Sequence, residues 1–199
     1  MDFLSTYAPV NLLPKDGEAI YYGKIMDHEM AAHYLDKLLD TVEWKNDEAI
    51  IFGRHIITKR KAAWYGDVNY LYTYSNTTKE ALPWTKELLE LKILMEKVSN
   101  SKFNSCLLNL YHNGTEGMAW HSDDEKSLGL NTSIASVSLG AERKFSLKHK
   151  LTKQKVSVVL ETGSLLIMKG NTQTNWLHSL PRSTKVANAR INLTFRTMI

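Results

Sequence analysis

A single cysteine, Cys106, is present in 199 residues. One thiol excludes an intramolecular disulfide and points to a reducing compartment. It lies in the apolar run CLLNLY and reads as a packing position rather than a nucleophile. No apolar run approaches the ~18 residues that span a bilayer. The opening residues, MDFLSTYAPVNLLPKDGE, lack the basic-then-apolar order of a secretory signal. The expectation is therefore a soluble, intracellular protein with no membrane partner. There is no repeat and no low-complexity tract. The charge imbalance is small, 25 Lys and Arg against 21 Asp and Glu, a net +4. That permits a polyanionic partner without requiring one. Apolar residues make up 43% of the chain, enough for a packed core. The length suits one domain over 1–199.

What the chain does contain falls into two halves. Residues 1–20 read as an irregular arm. Asp27 then stands before HEMAAHYLDKLLDTV, in which Met30, Tyr34, Leu38 and Val42 recur at helical spacing, so Asp27 is expected to cap an amphipathic helix. Ala49 to Ile57 and YLYTYS read as strands. Pro83 is expected near the first turn of a second helix, with Leu88, Leu91, Met95 and Val98 on its apolar face. From Lys102 onward the pattern changes to short strand-like runs: FNSCLLNLY, SIASVSLG, RKFSLKHK, KVSVVLE, GSLLIMKG and ARINLTFRTM. Short strands at this spacing indicate a sandwich or barrel. No linker divides the halves, so the helices are expected to buttress one sheet.

The stretch MAWHSDDEKSLG, Met118 to Gly129, gathers His121, Asp123, Asp124 and Glu125. On an extended segment residues i and i+2 point to one side, with Cα atoms about 6.6 Å apart, so His121 and Asp123 can converge on one ion. A third ligand is needed. His28 and His33 belong with the first helix and read as solvent-facing. His112 adjoins a turn, and His149 sits in KHKLTKQK, which reads as a basic surface hairpin. His178 follows the buried-looking strand GSLLIMKG and is expected at a strand end, pointing into a barrel mouth. Two histidines and one carboxylate on one face of an iron leave three positions open for a bidentate co-substrate and dioxygen. A short His-x-Asp match also arises by chance. In ARINLTFRTM, Arg190, Asn192, Thr194 and Arg196 share one face. Such a row suits a small dianion, because guanidinium binds carboxylate through two parallel bonds. A charged edge strand that discourages aggregation is the competing reading.

Taken together, NLYHNG, HSDDE, IASVSLGAERKF, GSLLIMKG, WLHSLP and RINLTFR, in that order, resemble the AlkB family of iron(II)- and 2-oxoglutarate-dependent dioxygenases, closest to its animal-type DNA repair branch. WYGD, YLYTYS and LPW upstream also match. The resemblance runs from about Ala49 to the C-terminus. It implies an α+β fold, a double-stranded β-helix (jelly-roll) core with N-terminal buttressing helices. Residues 1–45 would be an N-terminal extension and helix, 49–80 a nucleotide-recognition lid and 102–199 the jelly-roll core. It assigns iron(II) to His121, Asp123 and His178. Arg190 and Arg196 would pair with the two carboxylate ends of 2-oxoglutarate, Asn109 and Tyr111 would hydrogen-bond it, and Asn192 would assist. Thr194 would pack and orient.

The implied activity is oxidative dealkylation of N-alkylated bases such as 1-methyladenine and 3-methylcytosine in DNA, using iron(II), 2-oxoglutarate and dioxygen. A buried iron cannot reach a base inside a duplex, so the base is flipped or the strand is single. By position, Tyr74, with Tyr72 on the same face, would stack on the base opposite His178. Asp124 and Glu125 would contact the alkylated base, Phe52 would fill the gap it leaves, and Arg60 would lie near the lesion. Arg143, Lys144, Lys148, Lys150, Lys153 and Lys155 form a basic stretch suited to phosphates. The expected partner is alkylated DNA, with RNA the second candidate, and the expected state is a monomer. The rival readings are an RNA or protein demethylase on the same fold, a small-molecule hydroxylase, and a catalytically silent nucleic-acid-binding module.

Overall fold

Side-chain alternation along the C-terminal strands sets the architecture. The computed structural model describes residues 8–51, 54–74, 77–129 and 131–199. Two strands, β1 (Val10–Asn11) and β2 (Glu18–Lys24), precede helix α1 (His28–Thr41). A hairpin follows, β3 (Lys45–Ile51) and β4 (Arg54–Gly66), then β5 (Leu71–Tyr74), β6 (Thr77–Glu80), β7 (Leu82–Pro83) and helix α2 (Lys86–Ser99). The remainder is almost all strand: β8 (Ser105–Tyr111), β9 (Met118–His121), β10 (Ile134–Gly140), β11 (Arg143–His149), β12 (Lys155–Leu160) and β13 (Ser164–Lys169). A single helical turn, α3 (Thr172–Asn175), leads into β14 (Trp176–Leu180), and β15 (Arg190–Arg196) closes the order.

The strands form a major sheet in the order β1-β2-β13-β10-β15-β8-β4-β3, a minor sheet β12-β11-β14-β9, and the separate pair β5-β6. On β15, Ile191, Leu193 and Phe195 join a core with Leu38, Leu88, Leu91 and Met95 of the two helices. The alternate residues Arg190, Asn192, Thr194 and Arg196 face the other way and line a cavity shared with the minor sheet. A second core of Phe145, Leu147, Leu166, Trp176 and Leu180 seals the sheets together. A one-residue slip of β15 would turn its polar row into the helical core, so burial pins this register. The helices thus buttress the major sheet, and the layers are those of a jelly roll.

Local chemistry explains the helix boundaries. The Asp27 carboxylate accepts from Met30 N at 2.7 Å, the expected cap. The second helix begins later than expected. Pro83 lies in β7, and the Thr85 hydroxyl accepts from Leu88 N as the cap. Residues 1–20 are not uniformly an irregular arm, because Glu18 to Lys169 and Ala19 to Met168 pair β2 with β13. His178 sits inside β14 rather than at a strand end. Among the described residues, no helix is long and apolar enough to cross a membrane.

Candidate metal centre

The site is assembled by strand pairing. His121 ends β9 and His178 lies on β14, and the two are direct cross-strand partners. Asp123 follows β9 by two residues. His121 Nε2 is 3.6 Å and His178 Nε2 3.7 Å from Asp123 Oδ1. One ligand atom from each residue lies within 4.8 Å of the other two. The imidazoles meet edge to face, with centroids 4.2 Å apart.

Hydrogen bonds set the state of each group. His121 Nδ1 is 2.9 Å from Ala119 O. A carbonyl only accepts, so Nδ1 carries a proton and Nε2 is the nitrogen turned towards Asp123. Burial drives the pKa of His178 down to about 3, against the opposing pull of Asp123, so its imidazole is neutral at ordinary pH. Burial alone would push the Asp123 carboxyl up. Arg196, with His178 and His121, outweighs that and holds it below the usual carboxylate range. The Arg196 contribution is direct, Nη2 to Asp123 Oδ2 at 2.7 Å. His178 and Asp123 are therefore in the protonation states that bind a metal.

The cavity floor runs along β15. Arg190 and Asn192 stand opposite Tyr111 and Asn109 of β8. Arg190 Nη2 donates to Ser138 Oγ at 2.9 Å and to Asn192 Oδ1 at 2.7 Å, and Ser136 Oγ donates to the same amide oxygen at 3.1 Å. Asn192 Nδ2 donates to Thr194 Oγ1 at 2.8 Å. The Arg190 guanidinium lies 5.5 Å from the Tyr111 ring centroid. Arg190 is buried, and that burial pulls its pKa down to about 10, which still leaves a cation at neutral pH. Its hydrogen bonds go to neutral groups, and its Nε, also buried, has no hydrogen-bond partner. A buried cation so arranged is made for an anion. The donor set thus fits a carboxylate-bearing co-substrate beside an iron(II) triad.

The structure sorts the other expected residues. Glu125 and Arg60 line the cavity. Arg60 Nη2 is paired with Asp47 Oδ2, and its guanidinium lies 5.8 Å from the Tyr111 ring centroid. Asp124 points outward instead. It is exposed, accepts from Ser122 Oγ at 3.0 Å, and lies 3.9 Å from Lys150 Nζ. Phe52 lies outside the described residues. Of Tyr72 and Tyr74 only the backbone is described, on β5 paired with β6.

Two expectations for the basic hairpin are corrected. Arg143 is buried and takes no part in a surface stretch. Its Nη2 donates to Glu116 O and Pro181 O, both at 2.8 Å, tying two loops together. His149 is buried as well: its Nδ1 accepts from Leu151 N and Thr152 N, which leaves Nε2 to donate to Asp16 Oδ2 at 3.2 Å. Lys144 and Lys155 remain exposed, and Lys148 Nζ sits 4.5 Å from the Trp120 ring centroid.

Sequence reasoning missed five residues around the cavity. Ser136 and Ser138 were readable in principle, because SIASVSLG alternates in the same sense as the strand beside it. Asp47, Met118 and Gln173 carry no local signal. Each matters through a contact distant in sequence: Asp47 and Met118 to Arg60, and Gln173 to Asp123.

Residues 18–196 match the family model of the 2OG-Fe(II) oxygenase superfamily. The chain is 40% identical over 190 residues to the human alpha-ketoglutarate-dependent dioxygenase alkB homolog 3, which covers 89% of this chain and 65% of the relative. It is 40% identical over 157 residues to the human DNA oxidative demethylase ALKBH2, covering 75% of this chain and 60% of the relative. It therefore spans a little under two thirds of the length of these curated relatives. The solved structure of OsALKBH1 superposes with a TM-score of 0.64 at 16% identity, over 96% of this chain and 100% of the other, which shows a shared fold.

Proposed function

Because the chain belongs to the 2OG-Fe(II) oxygenase superfamily, and within it to the AlkB family, we propose that it is an iron(II)- and 2-oxoglutarate-dependent dioxygenase that removes N-alkyl groups from nucleobases in DNA. One observation carries the reading: a His-Asp-His cluster and a buried guanidinium with only neutral partners open onto the same cavity. His121, Asp123 and His178 would hold iron(II). Arg190, with Tyr111 and Asn109 across the strand, would hold one carboxylate of 2-oxoglutarate, and Arg196 would reach the other. With dioxygen, that centre would supply the two-electron oxidation that hydroxylates an N-alkyl carbon while 2-oxoglutarate becomes succinate and carbon dioxide.

The protein's own groups do the positioning. The Ala119 carbonyl fixes the His121 tautomer, and Arg196 keeps Asp123 anionic. Phe145, Met118 and Leu180 give the cavity apolar walls. Glu125 faces the same space, and its carboxylate favours a cationic alkylated base. After hydroxylation the hydroxyl proton is released to water, the carbon–nitrogen bond breaks, an aldehyde leaves, and the ring nitrogen keeps its electron pair, so the cationic base is restored neutral. Tyr72, Tyr74, Phe52 and Arg60 are the proposed contacts to the flipped nucleotide. DNA is the proposed partner, with RNA the comparison to run. A monomer working inside the cell is the proposed state.

The test uses purified protein with iron(II), ascorbate, 2-oxoglutarate and a short DNA carrying 1-methyladenine or 3-methylcytosine. Base mass and succinate are measured on single strands, duplexes and the matching RNA, with Asp123→Ala as control. Loss of one methylene mass that needs 2-oxoglutarate and vanishes in the control is expected. Succinate without demethylation would keep the co-substrate assignment and remove the nucleobase. Neither product from an iron-loaded protein would leave a nucleic-acid-binding module.

A further inference from the structure

The three metal-ligand candidates are not held alike. His121 and His178 belong to strands and are fixed by a ladder, since they face each other across β9 and β14. Asp123 lies past the end of β9, in a segment outside any strand. Two bonds take the place of the ladder. One is the side-chain bond to Arg196. The other is at the backbone, where Asp123 N donates to Gln173 Oε1 at 2.9 Å, a fully buried contact between residues fifty apart.

Gln173 is well placed to act as an anchor. It is itself buried, in α3, the single turn between β13 and the strand that carries His178. Because Asp123 N can only donate, the amide oxygen faces it, and the amide nitrogen is directed at Met168 Sδ, 3.7 Å away. The backbone of the turn is tied down as well. The Thr172 hydroxyl donates within this corner to Lys169 O at 2.6 Å and accepts from Glu18 N at 2.8 Å. Lys150 Nζ donates to Gln173 O at 2.8 Å. The acceptor that meets Asp123 is therefore fixed from three sides.

We infer that Gln173 is a positioning residue for the metal centre: its amide oxygen sets where Asp123 stands relative to the two histidines, and so sets metal affinity. This rests on the reading that His121, Asp123 and His178 hold a metal. Outer partners of metal ligands typically change affinity by about 10- to 100-fold when removed. Among the described residues the Asp123 N–H makes no other hydrogen bond, so loss of the acceptor frees this backbone position to move.

Cobalt(II) titrated into the metal-free protein tests this, with visible absorption for ligand geometry and a competing chelator for affinity. Gln173→Met keeps side-chain length but accepts weakly, and Gln173→Glu keeps a strong acceptor whether ionised or protonated. The expected result is about 10- to 100-fold weaker cobalt binding and an altered spectrum for Gln173→Met. Gln173→Glu should return both towards wild type. Equal binding by wild type and Gln173→Met overturns the inference, and so does a Gln173→Glu protein as weak as Gln173→Met. If Gln173→Met does not fold, Gln173→Glu decides alone, by matching the wild-type affinity and spectrum or failing to. A wild-type protein that binds no cobalt, or whose binding survives Asp123→Ala, removes the metal-centre reading itself, which is a different outcome.

Discussion

The two ends of β15 carry the same side chain in opposite circumstances. Arg196 is buried against a carboxylate that belongs to the protein, Asp123. Arg190, buried to the same degree, is hydrogen-bonded to a hydroxyl and an amide, both neutral. One arginine has a carboxylate of the protein beside it; the other is hydrogen-bonded to neutral groups. A guanidinium in a sheet interior costs desolvation at either end. An internal ion pair contributes to repaying it at Arg196, whereas at Arg190 the proposed co-substrate carboxylate would have to. That contrast separates the metal end of the cavity from the carboxylate end without any ligand in view.

Replacing each arginine by Met breaks the comparison most directly. Arg196→Met removes the partner of a buried carboxylate, which typically costs about 3–5 kcal/mol. Urea unfolding of the metal-free variant should show that loss, and added cobalt should restore part of it by neutralising Asp123. An unchanged midpoint would mean that the Arg196–Asp123 bond does not govern the metal end. Arg190→Met should behave otherwise. It removes a cation that no internal charge repays, so stability should hold or rise, by up to about 1–4 kcal/mol. Its effect belongs to binding: a charged hydrogen bond is worth about 1.5–3 kcal/mol, so 2-oxoglutarate affinity should fall roughly 10- to 100-fold. Calorimetric titration on the cobalt-loaded variant measures it, and an undiminished affinity would move the carboxylate site away from Arg190.

The floor of this cavity was legible in the sequence because strand chemistry is local. In RINLTFR, alternation alone places Arg190, Asn192, Thr194 and Arg196 on one face, and HSD places His121 and Asp123 together. The structure sets both where the pattern does. Neighbourhood failed where orientation depended on distant chain. Asp123 and Asp124 are adjacent and chemically alike, yet one enters the cavity and the other meets solvent. Arg143 and His149 sit in a visibly basic run, but Arg143 is drawn inward by carbonyls of two loops, and His149 by two amides of its own turn and an aspartate from the N-terminal arm. Residues 8–24 gave no strong strand signal, because β2 is stabilised by pairing with β13, far along the chain. Gln173 is the sharpest case: nothing in NTQTNW marks it, and only the closed fold brings it to Asp123.

The smallest effect tests whether the two ends are truly separate. Arg190 and Arg196 are six positions apart on one strand, about 20 Å along the sheet. A file of neutral groups links Arg190 to Asn192 and Asn192 to Thr194. If that file only fills space, unfolding free energies of the metal-free proteins should add. The Arg190→Met, Arg196→Met double variant should then differ from the sum of the singles by no more than about 0.3–0.5 kcal/mol, as for independent sites. A larger coupling would mean that the polar row acts as one unit, so that an anion arriving at Arg190 alters Arg196 and, through it, Asp123. Repeating the cycle with Asn192→Leu in the background locates the link, because any coupling carried by the row must disappear once its middle member can neither donate nor accept.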